Sequence, residues 1–265
     1  PKIESAMQTT GEAKYIDDLT LPPNGLWASF VYSTIALGSI ESIDASPALS
    51  LPGVVQFISA ADIAKLKGGV NDCGSFPGDE EVFATKDITT CGQSIGLILA
   101  DTRAHAEAGA AAVVVKYTMP PAGTKPVVTI MDAIAKQSFF QANQYQSPPV
   151  PISCGNFDQA YAAAPNRLKG SNSSLGQTHF FMETQTCMAV PSENDSLYVH
   201  SSSQGPVDIR AAVMRATSLP GHKVTVSTRR AGGGFGGKLS RSHPIAVACA
   251  LAARITNRPI KAQCS

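Results

Sequence analysis

The residues best placed to do chemistry lie in one glycine-rich segment near the carboxyl-terminal end of the chain. From Ala231 to Leu239 the sequence reads Ala-Gly-Gly-Gly-Phe-Gly-Gly-Lys-Leu, and we call this segment the glycine loop. Each glycine would cost roughly 0.5–1 kcal/mol relative to alanine inside a helix or strand, so the segment is a loop. The alternating pattern at Lys223–Thr228 predicts a strand before the glycine loop, and the pattern at Ser242–Thr256 predicts a helix after the loop. Such a loop presents N–H groups that suit an anionic ligand.

Three interpretations of the glycine loop stand side by side at this point. Gly232, Gly234 and Gly237 match the dinucleotide pattern G-x-G-x-x-G, but no acidic residue follows the loop. Gly232, Gly237 and Lys238 match a phosphate-binding Walker A loop, yet Leu239 stands where magnesium needs Ser or Thr. The third interpretation is a glycine-rich turn that packs against its own sheet.

Four individual residues, two of them within the glycine loop, are candidates for a role. Gln204 follows the predicted strand at Ser196–His200, so its side chain faces a ligand or caps the next helix. Phe235 is a bulky residue among glycines, and it either serves the site or anchors the loop in the core. Lys238 neutralises a phosphate or lies at the surface beside the helix. Glu183 is interpreted as a structural residue that hydrogen-bonds the loops of the site.

Composition limits the class of protein. The chain has 265 residues, 43% of them hydrophobic and 15% charged, with a net charge of +1. No basic run predicts a nucleic-acid partner, and no apolar run predicts a membrane span. The histidines lack ligand-like spacing, and the cysteines form no C-x-x-C pair, so no direct metal ligand is predicted. Cys187 and Cys249 are predicted to be buried thiols, which favours a reducing, cytoplasmic compartment.

Periodicity and turn residues predict an α+β chain in which strands and helices intermingle. The segment Asn143–Pro151, rich in proline, is predicted to be extended, and we place a domain boundary there or slightly before it. A short helical turn is expected at Ile130–Ala135. The predicted strands are Leu26–Tyr32, Ser39–Asp44, Val54–Ile58, Gln93–Ala100, Val113–Tyr117, Gln185–Val190, Ser196–His200 and Lys223–Thr228, and the other predicted helices are Ala104–Ala112, Phe157–Ala163 and Val207–Ala216.

Several motifs along the chain occur together, and in the same order, in one known family. They are Gly11–Asp18, Ser42–Asp44, Leu51–Val54, Ala61–Asp62, Glu81–Ala84, Gly92–Gly96, Gly176–Thr184, Ser202–Gln204 and Gly232–Lys238. On these residues the chain resembles the molybdenum hydroxylases, the family of xanthine dehydrogenase and aldehyde oxidase, and aldehyde oxidase most of all. The match is poorest between Thr124 and Ser174.

The resemblance implies a fold and a domain order. It implies an α/β hammerhead domain over residues 1–122, a connector over 123–155, and the N-terminal part of a mixed α/β molybdopterin-binding domain over 156–265. On this interpretation the chain is a fragment of a longer protein, and alone it is expected to be inactive. The family's catalytic glutamate base would lie beyond Ser265, so no catalytic residue is expected within the chain.

The resemblance also implies site residues and a reaction. Its cofactor-binding positions fall on Gln204, Gly233, Gly234, Phe235, Gly236 and Gly237. Leu239 stands where purine-oxidising members carry a glutamate, which points to aldehydes or apolar N-heterocycles as substrates. The implied reaction is hydroxylation with oxygen from water at a molybdopterin-held molybdenum.

Further cofactors and partners follow from the same resemblance. [2Fe–2S] clusters and FAD are expected in other regions or chains, and the full enzyme is expected to be a homodimer that includes the remaining domains. The alternative is a non-catalytic structural or binding subunit that keeps the family fold.

Overall fold

The computed structural model describes residues 2–139, 153–176 and 178–264. By its internal contacts the chain divides into one unit of Pro1–Ala122 with His179–Ser265, and a second unit of Gly123–Thr178. The extended segment predicted at Asn143–Pro151 lies outside the described residues.

The described residues form ten strands, of which most coincide with the predicted ones. They are β1 (Leu26–Tyr32), β2 (Gly38–Asp44), β3 (Val54–Ser59), β4 (Asp87–Ile88), β5 (Ser94–Ala100), β6 (Val114–Thr118), β7 (Thr186–Ser192), β8 (Ser196–Ser201), β9 (Val224–Ser227) and β10 (Ile260–Gln263).

Eight α-helices accompany the strands in the described parts of the chain. They are α1 (Ser5–Thr10), α2 (Ser46–Leu49), α3 (Ala60–Lys65), α4 (Arg103–Ala112), α5 (Ile130–Ala135), α6 (Phe157–Ala163), α7 (Pro206–Thr217) and α8 (His243–Thr256). Helices α5 and α6 belong to the second unit, and each begins at a side-chain cap, Thr129 and Asn156 respectively. Such caps satisfy backbone N–H groups that the first turn leaves without a partner.

Seven strands of the first unit form one sheet in the order β3-β5-β1-β10-β7-β8-β9. Strand β5 lies inside it with six of its seven residues buried, as its continuous apolar run predicts. Strand β10 pairs in parallel with β1, so a single sheet contains strands from both ends of the sequence. The predicted division of the chain into domains at residues 122 and 155 stays a prediction.

Helix α8 packs against this sheet and carries much of the core. Ten of its residues are buried, and they contact strand residues such as Cys187, Val199 and Ile260. Its buried face is rich in alanine, which lets the helix approach the sheet closely. Both Cys187 and Cys249 are fully buried here, as predicted, and all six cysteines of the chain are free thiols.

A second sheet of three strands, in the order β4-β2-β6, lies in the same unit. Helix α4 begins at Thr102, whose side chain accepts the N–H of His105, and helix α3 begins with the capping box of Ser59 and Asp62. Both caps agree with the sequence, because short polar side chains at these places complete the first helical turn.

The sequence pattern did not predict helices α1 and α2 or strand β4. Helix α1 buries no residue, α2 has four residues, and β4 has two. Elements this short show no period that a sequence could reveal. Among the described residues, no helix combines the length and apolar character that crossing a bilayer requires.

Candidate functional site

Three segments meet at one edge of the large sheet. Strands β8 and β9 run parallel, so the residues that follow them, 202–204 and the glycine loop, leave the sheet on the same side. Strand β7 is antiparallel to β8 and pairs Cys187 with Ser201, which places the residues just before β7 at that edge as well. In open α/β sheets, ligands commonly bind at the carboxyl ends of parallel strands, and β8 and β9 are such a parallel pair within this mixed sheet.

Gln204 lies directly against the glycine loop. Its side-chain oxygen Oε1 accepts the backbone N–H of Gly236 at 3.0 Å and that of Lys238 at 3.3 Å. Its own N–H donates to the carbonyl of Lys238 at 3.0 Å. A Cβ on Gly234 would approach Gln204 Oε1 to 2.5 Å, so a larger residue there would displace the Gln204 side chain. The proximity of Gln204 and the loop, expected from the sequence, is therefore confirmed.

The contacts of the loop leave a set of hydrogen-bond donors free. Among the described residues, the N–H groups of Gly233, Gly234 and Phe235 meet no acceptor. Because Gln204 Oε1 takes two backbone N–H groups, its amide NH2 is the end that faces away, and the side chain is exposed. Three consecutive N–H groups and one amide NH2 form a donor set for an oxygen-rich or anionic ligand.

The backbone of the loop is bent into conformations that favour glycine. Gly233 and Gly236 have φ angles of +94° and +87°, and Phe235 has +49°. The Phe235 side chain is 74% exposed, so its interpretation as an anchor in the core is wrong. Phe235 is a bulky non-glycine residue in the left-handed region, a strained conformation that persists only where the surrounding structure holds it.

Lys238 is buried, which corrects the expectation of a surface lysine. Its side chain is 0% exposed, and its Nζ lies 3.0 Å from Glu183 Oε2 and 2.7 Å from Ser202 Oγ. The same ammonium lies 4.8 Å from the centre of the Phe181 ring. A lysine held in this way is not available to a phosphate, so the Walker A interpretation loses its cation. The sequence could not show this, because Glu183 lies 55 residues away.

Glu183 has the structural role that the sequence predicted. Its Oε2 accepts the N–H of Gly232 at 2.6 Å and the hydroxyl of Ser202 at 2.6 Å, in addition to the ammonium of Lys238. The other oxygen, Oε1, is buried and has no partner among the described residues. The carboxylate therefore joins the start of the loop to its end.

Several serines for which the sequence predicted no individual role complete the site. The carbonyl of Lys238 accepts hydrogen bonds from Ser203 Oγ at 3.2 Å and from Ser242 Oγ at 2.9 Å. Ser202, Ser203 and Ser242 are all buried, where a hydroxyl needs a partner. The signal available in the sequence was three consecutive serines directly before Gln204, at the end of a predicted strand.

The remaining candidates divide between the site and the core. Leu239 is 52% exposed at the end of the loop, and His179 lies close to Gly236 and Gly237. Burial lowers the pKa of His200 and of His243, which favours neutral imidazoles. Within the ranges that the structure describes, no three His, Cys, Asp or Glu side chains come together as a metal site.

Comparison with known families identifies the chain. Residues 10–121 match the family model described as "Aldehyde oxidase and xanthine dehydrogenase, a/b hammerhead domain". Residues 139–265 match the model described as "Molybdopterin cofactor-binding domain". The chain belongs to the molybdenum hydroxylase family of aldehyde oxidases and xanthine dehydrogenases. The predicted family and the α+β fold class are thus confirmed.

Curated molybdenum hydroxylases match the chain over almost all of its length. Aldehyde oxidase 4 of Arabidopsis thaliana is 38% identical over 262 residues, which are 98% of this chain and 19% of that protein. Xanthine dehydrogenase of Emericella nidulans is 36% identical over 98% of this chain and 18% of its own length. The chain therefore spans about a fifth of the length of the curated relatives that it matches.

Solved structures of the same kind share the fold. Quinoline 2-oxidoreductase from Pseudomonas putida 86 superposes with a TM-score of 0.80 at 26% identity, over 99% of this chain and 34% of that one. Aldehyde oxidoreductase from Desulfovibrio gigas gives a TM-score of 0.84 at 24% identity, over 100% of this chain and 30% of that one. The similarity to the Desulfovibrio gigas structure shows a shared fold only.

The residues of this molybdenum hydroxylase chain fit the cofactor that its family model names. A molybdopterin carries a phosphate and a dithiolene, both anionic, and the edge of the sheet offers four free donors. The loop is open at Gly236, directly after these donors, because a Cβ there would meet only His179 Nε2, at 3.8 Å. The donor set and the open side of the loop therefore suit an anionic group of this kind.

Proposed function

We propose that this chain supplies part of the cofactor site of a molybdenum-dependent hydroxylase that oxidises aldehydes or N-heterocycles. The observation that carries the proposal is the set of free donors at Gly233, Gly234, Phe235 and Gln204. The residues that would hold the molybdopterin are Gln204, Gly233, Gly234, Phe235, Gly236 and Gly237.

The bound cofactor would supply the metal centre at which an oxygen atom from water is transferred to the substrate carbon. The chain's own residues bind and orient it. The N–H groups of Gly233, Gly234 and Phe235 stabilise negative charge without rearranging, because the loop already holds them in place. The NH2 of Gln204 would donate a hydrogen bond to the same cofactor, while its Oε1 keeps Gly236 and Lys238 in position.

Leu239 would line the substrate pocket. Its side chain is half-exposed directly after the loop, and it offers neither a donor nor an acceptor. Such a residue favours substrates with an apolar edge over purines, whose polar atoms would lose their hydrogen bonds to water there.

The wider assembly is part of the same proposal. We place a hammerhead domain at 1–122, a connector at 123–155 and the first part of the cofactor domain at 156–265. Iron–sulfur clusters and FAD would lie in other regions, and the complete enzyme would be a homodimer. A cytoplasmic location is supported by the six free thiols, three of them buried, because a reducing compartment keeps thiols from forming disulfides.

The test measures molybdenum in the purified protein expressed from its gene, by mass spectrometry of the metal. Gln204→Glu keeps an oxygen for the N–H groups of Gly236 and Lys238 but replaces the outward NH2 with a negative oxygen. We expect it to lose molybdenum by about tenfold, since a charge-assisted donor becomes a repulsive group.

The matched control is Gln93→Glu, since Gln93 Oε1 also accepts a backbone N–H, that of Thr89 at 2.9 Å. This variant should keep the wild-type content of molybdenum. Wild-type protein without molybdenum, or equal retention in the two variants, would contradict the proposal.

A further inference from the structure

We propose that Lys238, Glu183 and Ser202 form a positioning device, here named the charged tether, which sets the direction of the free N–H groups in the glycine loop. The inference deepens the proposed function and rests on it for the ligand that those groups meet. The geometry of the tether itself comes from this chain's own contacts.

The charged tether converges on a single atom. Glu183 Oε2 accepts from Gly232 N–H, Ser202 Oγ and Lys238 Nζ, at 2.6, 2.6 and 3.0 Å. Gly232 begins the run of glycines and Lys238 directly follows it. One carboxylate oxygen therefore holds both ends of the run.

A run of glycines needs such a restraint. Glycine has access to more backbone conformations than any other residue, so five of them in six positions would leave the loop with many alternative shapes. Holding Gly232 and Lys238 at one point removes most of those shapes. The three free N–H groups lie between the two held residues, so their direction depends on the tether.

Burial makes the tether strong. The Lys238 side chain is 0% exposed and that of Glu183 is 10% exposed, and the ammonium also faces the Phe181 ring at 4.8 Å. Ser202 is fully buried and donates to Glu183 while it accepts from Lys238. Water does not compete for these bonds, and a charge left without its partner here would be costly.

The chain contains a matched lysine outside the site. Lys261, in β10, is 3% exposed, its Nζ lies 3.4 Å from an Asp17 carboxylate oxygen, and it faces the Trp27 ring at 4.8 Å. It shares the burial, the acidic partner and the aromatic contact of Lys238. Its hydrogen bonds go to the carbonyls of Asp17 and Leu19 and to no residue of the glycine loop.

The experiment compares Lys238→Met, Ser202→Ala and Lys261→Met in the protein expressed from its gene. Hydrogen–deuterium exchange is followed in the peptide that contains the glycine loop, and thermal unfolding is measured in parallel. We expect exchange in this peptide to become about tenfold faster in Lys238→Met, and faster to a smaller extent in Ser202→Ala. Lys261→Met should leave exchange in the loop unchanged although it also loses thermal stability.

The double variant Lys238→Met, Glu183→Gln separates positioning from stability. It leaves no unpaired charge, so the unfolding temperature should recover relative to Lys238→Met, while exchange in the loop stays fast because the lysine link is gone. In protein that holds molybdenum, Lys238→Met should also change the electron paramagnetic resonance spectrum of the metal, and Lys261→Met should not.

Two results would overturn the inference. One is unchanged exchange in the loop of Ser202→Ala together with unchanged exchange in any Lys238→Met protein that folds. The other is equal acceleration in Lys261→Met, which would show a general loss of stability. Wild-type protein without molybdenum would contradict the proposed function only, since the exchange comparison decides the tether by itself.

Discussion

Arg230 and Glu4 form a two-point ion pair across almost the whole sequence. Arg230 Nε lies 2.8 Å from Glu4 Oε2, and a terminal nitrogen of the guanidinium lies 3.0 Å from the other carboxylate oxygen. Arg230 is buried and directly precedes the glycine loop, while Glu4 directly precedes α1. The first residues of the chain therefore support the base of the candidate site, in a geometry that favours Arg over Lys.

Replacing Glu4 with Gln should lower the thermal unfolding temperature near neutral pH. The hydrogen bond from Arg230 lowers the pKa of Glu4 below its ordinary value of 4.5. The stabilisation is therefore complete above pH 4.5 and is lost as the pH falls through the lower pKa of the folded state. Unfolding curves of the two proteins should converge in acid. A constant difference at all pH values would contradict this account, and the exposed Glu12→Gln is the control.

Gly234→Ala should disturb the site directly. The added Cβ would come within 2.5 Å of Gln204 Oε1, so the glutamine must move away from the loop. We expect a loss of about 1–3 kcal/mol in the free energy of unfolding, as for other overpacked positions, together with a loss of bound molybdenum. Gly170→Ala is the control, since its Cβ would meet nothing within 4 Å. Denaturant unfolding and metal analysis check both, and identical behaviour would refute the packing argument.

His243 should make the chain less stable in mild acid. Burial lowers its pKa, an effect that Arg241 and Arg215 reinforce and Asp208 opposes. The unfolded chain takes up this proton more readily than the folded chain, so stability is complete above the ordinary value of 6.5 and declines as the pH falls below it. In His243→Gln the decline below pH 6.5 should be shallower. Denaturant midpoints across this range measure it, and an unchanged slope would exclude His243 as the source.

Leu239 should influence which substrate the complete enzyme prefers. The wild-type protein is expected to oxidise aromatic aldehydes in preference to xanthine. Leu239→Glu supplies a polar group, so the ratio of kcat/KM for xanthine to that for benzaldehyde should rise by about tenfold. Because the side chain is half-exposed, the change should barely affect stability. Val207→Glu, at an exposed position on α7, is the control, and a wild-type preference for xanthine would refute the assignment.

The 265 residues expressed alone should not oxidise benzaldehyde. At the candidate site the carboxylate of Glu183 contacts the glycine loop, but its Oε2 is already occupied by three donors and its Oε1 is buried. It is therefore not free to take a proton from water or substrate. Steady-state assays of the isolated chain measure this, with the protein expressed from its gene as the positive control. Turnover at a comparable rate would show that the catalytic base lies within this chain.

Most of the secondary structure could be predicted because each element carries its own local signal. The helix at Phe157–Ala163 and the strand at Leu26–Tyr32 have the predicted bounds, and Ser59 and Asp62 form a capping box that is a local sequence signal. Such signals depend on side-chain period and capping within a few residues. The adjacency of Gln204 and the glycine loop was also within reach, since both follow strands that run in parallel.

By itself, the sequence determined the family, the order of the elements, and the presence of a bare loop that must accept a ligand or close packing. Those properties depend on residues that are neighbours in the chain. The tertiary structure alone decided that Lys238 is buried on Glu183, that Ser202 joins them, and that Arg230 reaches Glu4. These contacts join residues 36 to 226 positions apart, and the folding of the sheet, rather than any local pattern, brings them together.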